Sequence, residues 1–156
     1  VAIRDYFLPA AASGPETCVF FIIAGPYLRA LADPDAITQA RIVHMILARQ
    51  TEEALRILSD FYRIKPPEIA VGTVKGKRRT AYAVYVPREQ KIYAMNSDIF
   101  YNPFVILHEF YHHIRSRSGS HRGTERHANM FAKGFIDSYT AVVSNASASQ
   151  TQPKKD

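Results

Sequence analysis

Apolar positions along this chain keep two different rhythms, and the change falls at Pro66-Pro67. Before it, Ile37, Val43, Leu47, Ala54, Leu58 and Phe61 return at helical spacing, while Arg41, Arg49, Glu52, Glu53 and Arg56 supply the polar faces. Asp33-Pro34 predicts the start, with Asp33 as N-cap and proline at the first helical position. Gln50-Thr51 predicts a break with Thr51 capping a second helix, and Pro66-Pro67 predicts the stop, since neither residue donates a helical hydrogen bond. Upstream, Cys18 to Ala24 (CVFFIIA) reads as a buried strand closed by Gly25-Pro26, and Tyr27 to Ala32 as a helical turn.

After the prolines the pattern turns to strands. Glu68 to Val74 is a short β-branched run, Thr80 to Val86 (TAYAVYV) is β-branched and aromatic, and Lys91 to Asn96 follows a turn over Pro87-Arg88-Glu89-Gln90. The last two predict a hairpin. Asn102-Pro103 repeats the cap-then-proline signal and opens PFVILHEFYHHIRSR, a helix apolar nearly all round for its first three turns. Ser118 to Gly123 reads as a loop, and Thr124 as the cap of a last helix reaching about Val143. The polar stretch from Ser144 to Asp156 reads as a flexible tail. These elements predict one α+β domain over residues 33–143, with residues 1–32 as an N-terminal extension of no assigned role.

Composition narrows the classes. Hydrophobic residues make up 47% and charged residues 22%, which excludes a disordered chain. Cys18 is the sole cysteine, so no intrachain disulfide and no cysteine-rich zinc module forms; a cytoplasmic, reducing compartment is expected. No run approaches the roughly 20 apolar residues of a membrane span, so no membrane partner is expected. Val1 stands where a methionine is usual, which fits a trimmed or upstream start. The net charge is +6 and lies mostly beyond Ala70, where 13 lysines and arginines face six acids. Such a half suits nucleic acid or acidic substrates, although a solvated basic face accounts for it more simply.

The chemistry concentrates at His108-Glu109-Phe110-Tyr111-His112, an HExxH pattern. Helical positions four apart share a face, so His108 and His112 present two imidazoles to one ion. Glu109, rotated by about 100 degrees, stands beside that ion as general base for a water. Polar groups inside an apolar helix need partners, and a metal serves all three. A catalytic zinc keeps three protein ligands and one open position. Glu125, at the start of the following helix, is the preferred third ligand over His121 in the glycine-flanked loop, because a helix fixes a ligand better. His113 points about 100 degrees from His112 and is a poor ligand.

HEFYHH followed by ERHANMFA resembles the gluzincin peptidases of the ImmA/IrrE type and their minimal archaeal relatives, the minigluzincins. Those families share HExxH and a later E-x-x-A-N-x-F-A segment, matched here by Glu125, Ala128, Asn129, Phe131 and Ala132. The resemblance covers roughly residues 35 to 140 and implies a zincin-like fold: N-terminal helices, a small three-stranded sheet, then the HExxH helix and a glutamate-bearing helix. It further implies Zn2+ held by His108, His112 and Glu125, hydrolysis of a peptide or protein substrate, and access to a latent form in which a segment such as the tail fills the cleft. The link from His112 to Glu125 is shorter than is usual in ImmA/IrrE proteins, and KGFIDSY stands where they end on a Leu-Leu-Met-Pro-like segment. The SprT-like peptidases also carry HExxH, but their histidine third-ligand pattern and cysteine ribbon are absent from this chain.

Zincin substrates lie antiparallel to an edge strand, which here predicts the strand holding Tyr82 and Val84. Donors to the oxyanion or substrate are sought among His121, Arg122, His127 and Tyr139, with His121 and Tyr139 the named candidates. The alternative to an enzyme is a metal-binding regulatory or nucleic-acid-associated protein on the same fold.

Overall fold

The computed structural model describes residues 33–73, 82–117 and 125–149. Its first helix, α1 (Ala36–Leu47), is capped by Asp35, whose carboxylate accepts from the N–H groups of Ile37 and Thr38 at 3.0 and 3.1 Å. The cap therefore falls two residues later than Asp33, which instead accepts a hydrogen bond from the Tyr62 hydroxyl. Both aspartates flank Pro34, and only the later one stands where the free N–H groups of the first turn open.

Helix α2 (Thr51–Tyr62) follows after the predicted break. Thr51 is its first residue rather than its cap, and its buried hydroxyl donates to the Phe100 carbonyl at 3.0 Å, tying the helix to a distant segment. The helix ends before the two prolines, where Arg63 turns into the left-handed region at φ 56°.

Three strands form one mixed sheet: β1 (Glu68–Val71), β2 (Ala83–Val86) and β3 (Lys91–Ala94), in the order β1-β3-β2. The predicted hairpin is present, with β2 antiparallel to β3 and Tyr85 opposite Ile92. β1 lies parallel to β3 on its other side, Ile69 opposite Ile92. β2 is thus an edge strand. Ala83 and Tyr85 share the buried face with Ile92 and Ala94, as the alternation of a half-buried strand requires.

A one-turn helix, α3 (Ser97–Phe100), capped by the Asn96 side chain, leads into α4 (Pro103–Arg117). Asn102 accepts from the Val105 N–H at 3.2 Å, as its cap-then-proline signal predicts. α4 buries Ile106, Leu107, Phe110, His113 and Ile114 against the sheet and against α5 (Glu125–Ser149). Helix α5 returns across α4 and α1, with Ala128, Phe131, Ala132 and Phe135 buried on its inner face. It extends six residues past Val143, into the stretch read as tail, because Ser144 to Ser149 contains neither proline nor glycine. Residues 1–32, 74–81, 118–124 and 150–156 lie outside the described residues, and with them Cys18, His121, Arg122 and the expected cap Thr124.

The core joins α1, α2, α4 and α5 to the sheet through Ile42, Ile46, Leu55, Leu58, Ile92, Leu107, Phe110 and Phe135. Among the described residues no helix is long and apolar enough to cross a membrane.

Candidate metal centre

Two helices bring the ligand candidates together. His108 and His112 stand one turn apart on α4, and their Nε2 atoms are 3.2 Å from each other. Glu125, the first residue of α5, brings one carboxylate oxygen to 3.0 Å from His108 Nε2 and the other to 3.4 Å from His112 Nε2. All three groups offer a ligand atom within a 4.8 Å cluster.

These separations fit a small tetrahedral ion. Donors about 2.0 to 2.1 Å from such an ion sit about 3.3 Å from one another. The set is also chemically apt, with two imidazoles and one carboxylate suiting zinc. The tautomer agrees: His108 Nδ1 lies 2.9 Å from Asn129 Oδ1, an acceptor-only oxygen, so Nδ1 carries the proton and Nε2 keeps its lone pair for a cation. Asn129 follows Glu125 by one turn of α5, so a single helix face supplies a ligand and the group that orients another ligand. The two histidine side chains are mostly buried, while that of Glu125 is 78% exposed, which leaves the cluster approachable from its side among the described residues.

Glu109 sits in the same turn but takes a different partner. Its Oε2 accepts the Tyr85 backbone N–H at 2.8 Å, tethering the carboxylate to the edge strand β2. Burial pushes this carboxyl above its ordinary range; the Tyr85 N–H and the two imidazoles pull the other way, and Glu125 adds a further upward push. The other oxygen, Oε1, carries no hydrogen bond to a described residue, so the tether leaves one oxygen for proton transfer.

His113 faces the opposite side of α4 and is fully buried. Its Nε2 donates to the Lys65 carbonyl at 2.8 Å, so Nδ1 must accept, and the Tyr85 hydroxyl donates to it at 2.8 Å. Burial lowers its pKa and keeps the ring neutral. It is a packing residue, as its position in the helix predicts.

The remaining candidates separate from the cluster. Tyr139 lies fourteen residues along α5 from Glu125, about 21 Å of helix, and packs against the core. That distance removes it as an oxyanion donor. Tyr82 precedes β2 and its carbonyl accepts from Met95 N–H at 2.9 Å, while Val84 lies opposite Tyr93 in the same inward-bonded set. By the alternation of antiparallel pairs, the backbone groups on the free flank of β2 belong to Ala83 and Tyr85 instead.

Two contributors carry weak sequence signals. The tether on Glu109 is a backbone N–H, invisible in residue identity. Asn129 is marked in the sequence by its place in the E-x-x-A-N-x-F-A segment, which does not reveal that its amide orients His108. Comparison of the chain with protein-family models, with curated proteins and with solved structures finds no match.

Proposed function

We propose that the protein is a zinc-dependent peptidase of the gluzincin kind, with His108, His112 and Glu125 holding the ion and Glu109 as general base. The observation that carries this reading is the convergence of two imidazole nitrogens and a carboxylate within 4.8 Å, beside a second carboxylate, that of Glu109, tethered to the sheet. When bound, the ion supplies Lewis acidity that polarises a carbonyl and acidifies water.

The chain's own residues do the rest. Asn129 holds the His108 ring with Nε2 free, and Tyr85 N–H holds Glu109 at Oε2. Glu109 takes the proton of the attacking water at Oε1 and delivers it to the departing amine nitrogen. A peptide pairing along the free flank of β2 meets the N–H and carbonyl of Ala83 and the carbonyl of Tyr85, because the Tyr85 N–H already serves Glu109.

The test combines metal content with cleavage. Wild type should carry about one zinc per chain, Glu125→Ala should lose it, and Glu109→Gln should keep it while cleaving about 10²- to 10⁴-fold more slowly. A Glu109→Gln protein that cuts a peptide substrate at the wild-type rate would sink the role given to Glu109. No zinc uptake by wild type would sink the whole reading.

A further inference from the structure

An open groove of about 500 Å³ runs between α4 and α5 beside the ligand cluster, lined by Phe104, Arg126, Asn129, Met130 and Lys133. Phe104 on α4 and Met130 on α5, 39% and 60% exposed, are its apolar lining residues. Arg126 and Lys133 contribute methylene stems, so the lining is almost wholly apolar while the charges stand at the rim.

We propose that this groove is a specificity subsite of the peptidase read above, taking a large apolar substrate side chain close to the scissile bond, with an acidic residue next to it. Its location follows from helix geometry. Phe104 precedes His108 by one turn, and Asn129 and Lys133 follow Glu125 by one and two turns. The ligand contacts run the two helices in opposite directions, so these displacements point the same way from the cluster. They amount to about 6 Å on α4 and about 6 to 12 Å on α5. An extended peptide advances about 3.3 to 3.6 Å per residue, so the groove meets substrate residues within a few positions of the bond cut.

Charge selects the neighbour. Lys133 is paired with Asp137, whereas Arg126 has no carboxylate partner among the described residues. An anionic group entering beside the apolar side chain gives that guanidinium a bidentate partner. Asn129 is shared between the groove and His108, which joins the subsite to the metal cluster without a gap.

The test separates binding from cleavage. Glu109→Gln loaded with zinc serves as a trap for a randomised peptide library, and the retained peptides are sequenced. Leu, Phe or Met should be enriched about tenfold over Ala at one position. Asp or Glu beside it should be enriched several-fold, with that second preference fading in high salt. Phe104→Ser on the trap should erase the apolar preference, and Arg126→Gln should erase only the acidic one. Both positions are exposed, and unchanged melting and zinc content certify that the variants fold. Retention of no peptide by the zinc-loaded trap, or a profile indifferent to Phe104→Ser, would overturn the subsite. If wild type fails to cut peptides that the trap retains with this profile, the subsite stands and the peptidase reading falls.

Discussion

Removing one oxygen atom from Tyr85 should cost the fold about 2 kcal/mol. Tyr85 is 6% exposed and His113 is fully buried. The Lys65 carbonyl fixes the proton on His113 Nε2, so Nδ1 depends on the Tyr85 hydroxyl 2.8 Å away. Tyr85→Phe keeps the ring and its edge-on packing with His113, and so removes the donor while leaving almost no cavity. An unsatisfied buried acceptor costs about 1 to 3 kcal/mol. In a domain of this size each kcal/mol is worth about 4 °C in melting temperature, so a fall of about 8 °C is expected. Thermal and urea unfolding by circular dichroism measure it. His113→Leu should be destabilising too, and the double variant should lose less than the sum of the singles, because each single leaves one member of the Tyr85–His113 hydrogen bond without the other and the double leaves neither. The substitution spares the Tyr85 N–H that holds Glu109, so zinc content should not change. A loss below about 0.5 kcal/mol, or strict additivity, would refute the proton assignment in this network.

Three further outcomes follow from the same contacts. His113 has a depressed pKa in the fold, so its stabilising contribution is complete above the ordinary histidine value and drains away as pH falls below it; melting of chelator-treated protein should drop from pH 7.5 to 5.5 at up to about 1.4 kcal/mol per pH unit, less steeply in His113→Leu. Asn129→Ala releases the His108 ring and should weaken zinc binding about 10- to 100-fold, read by competition with a chromophoric chelator, with little loss of fold since the residue is exposed. Zinc at a hundredfold excess over its dissociation constant should add about 2.7 kcal/mol of stability, and Glu125→Ala should abolish the gain in a melting assay.

Much of this arrangement is legible in the sequence because it is local. The spacing of His108 and His112 fixes a shared face of α4, and Asn102-Pro103 marks where that helix begins. The hairpin from Ala83 to Ala94 follows from two β-rich runs around a short turn. The parallel pairing of β1 with β3 has no such mark, since it joins segments that are not neighbours in the chain and depends on what else packs. α3 escapes notice for a different reason: four residues are too few to show a helical period. The cap of α1 shifts from Asp33 to Asp35 because residue type alone does not distinguish two aspartates around one proline. Residue type makes Tyr139 a candidate donor, and the fourteen residues of α5 between it and Glu125 carry it away from the cluster.

The two jobs of α5 have a consequence for how the chain tolerates change. Phe131 and Phe135 seat the helix in the core, while Glu125 and Asn129 project from another side of the same rigid rod. The angular setting of the carboxylate and the amide is therefore indexed by aromatic packing within about three turns on the same helix. Insertions between Arg117 and Glu125 should leave the ion held, whereas a single residue added between Asn129 and Phe131 would rotate the ligand pair by about 100 degrees and dismantle it. The candidate metal centre is keyed to the core through the packing of α5.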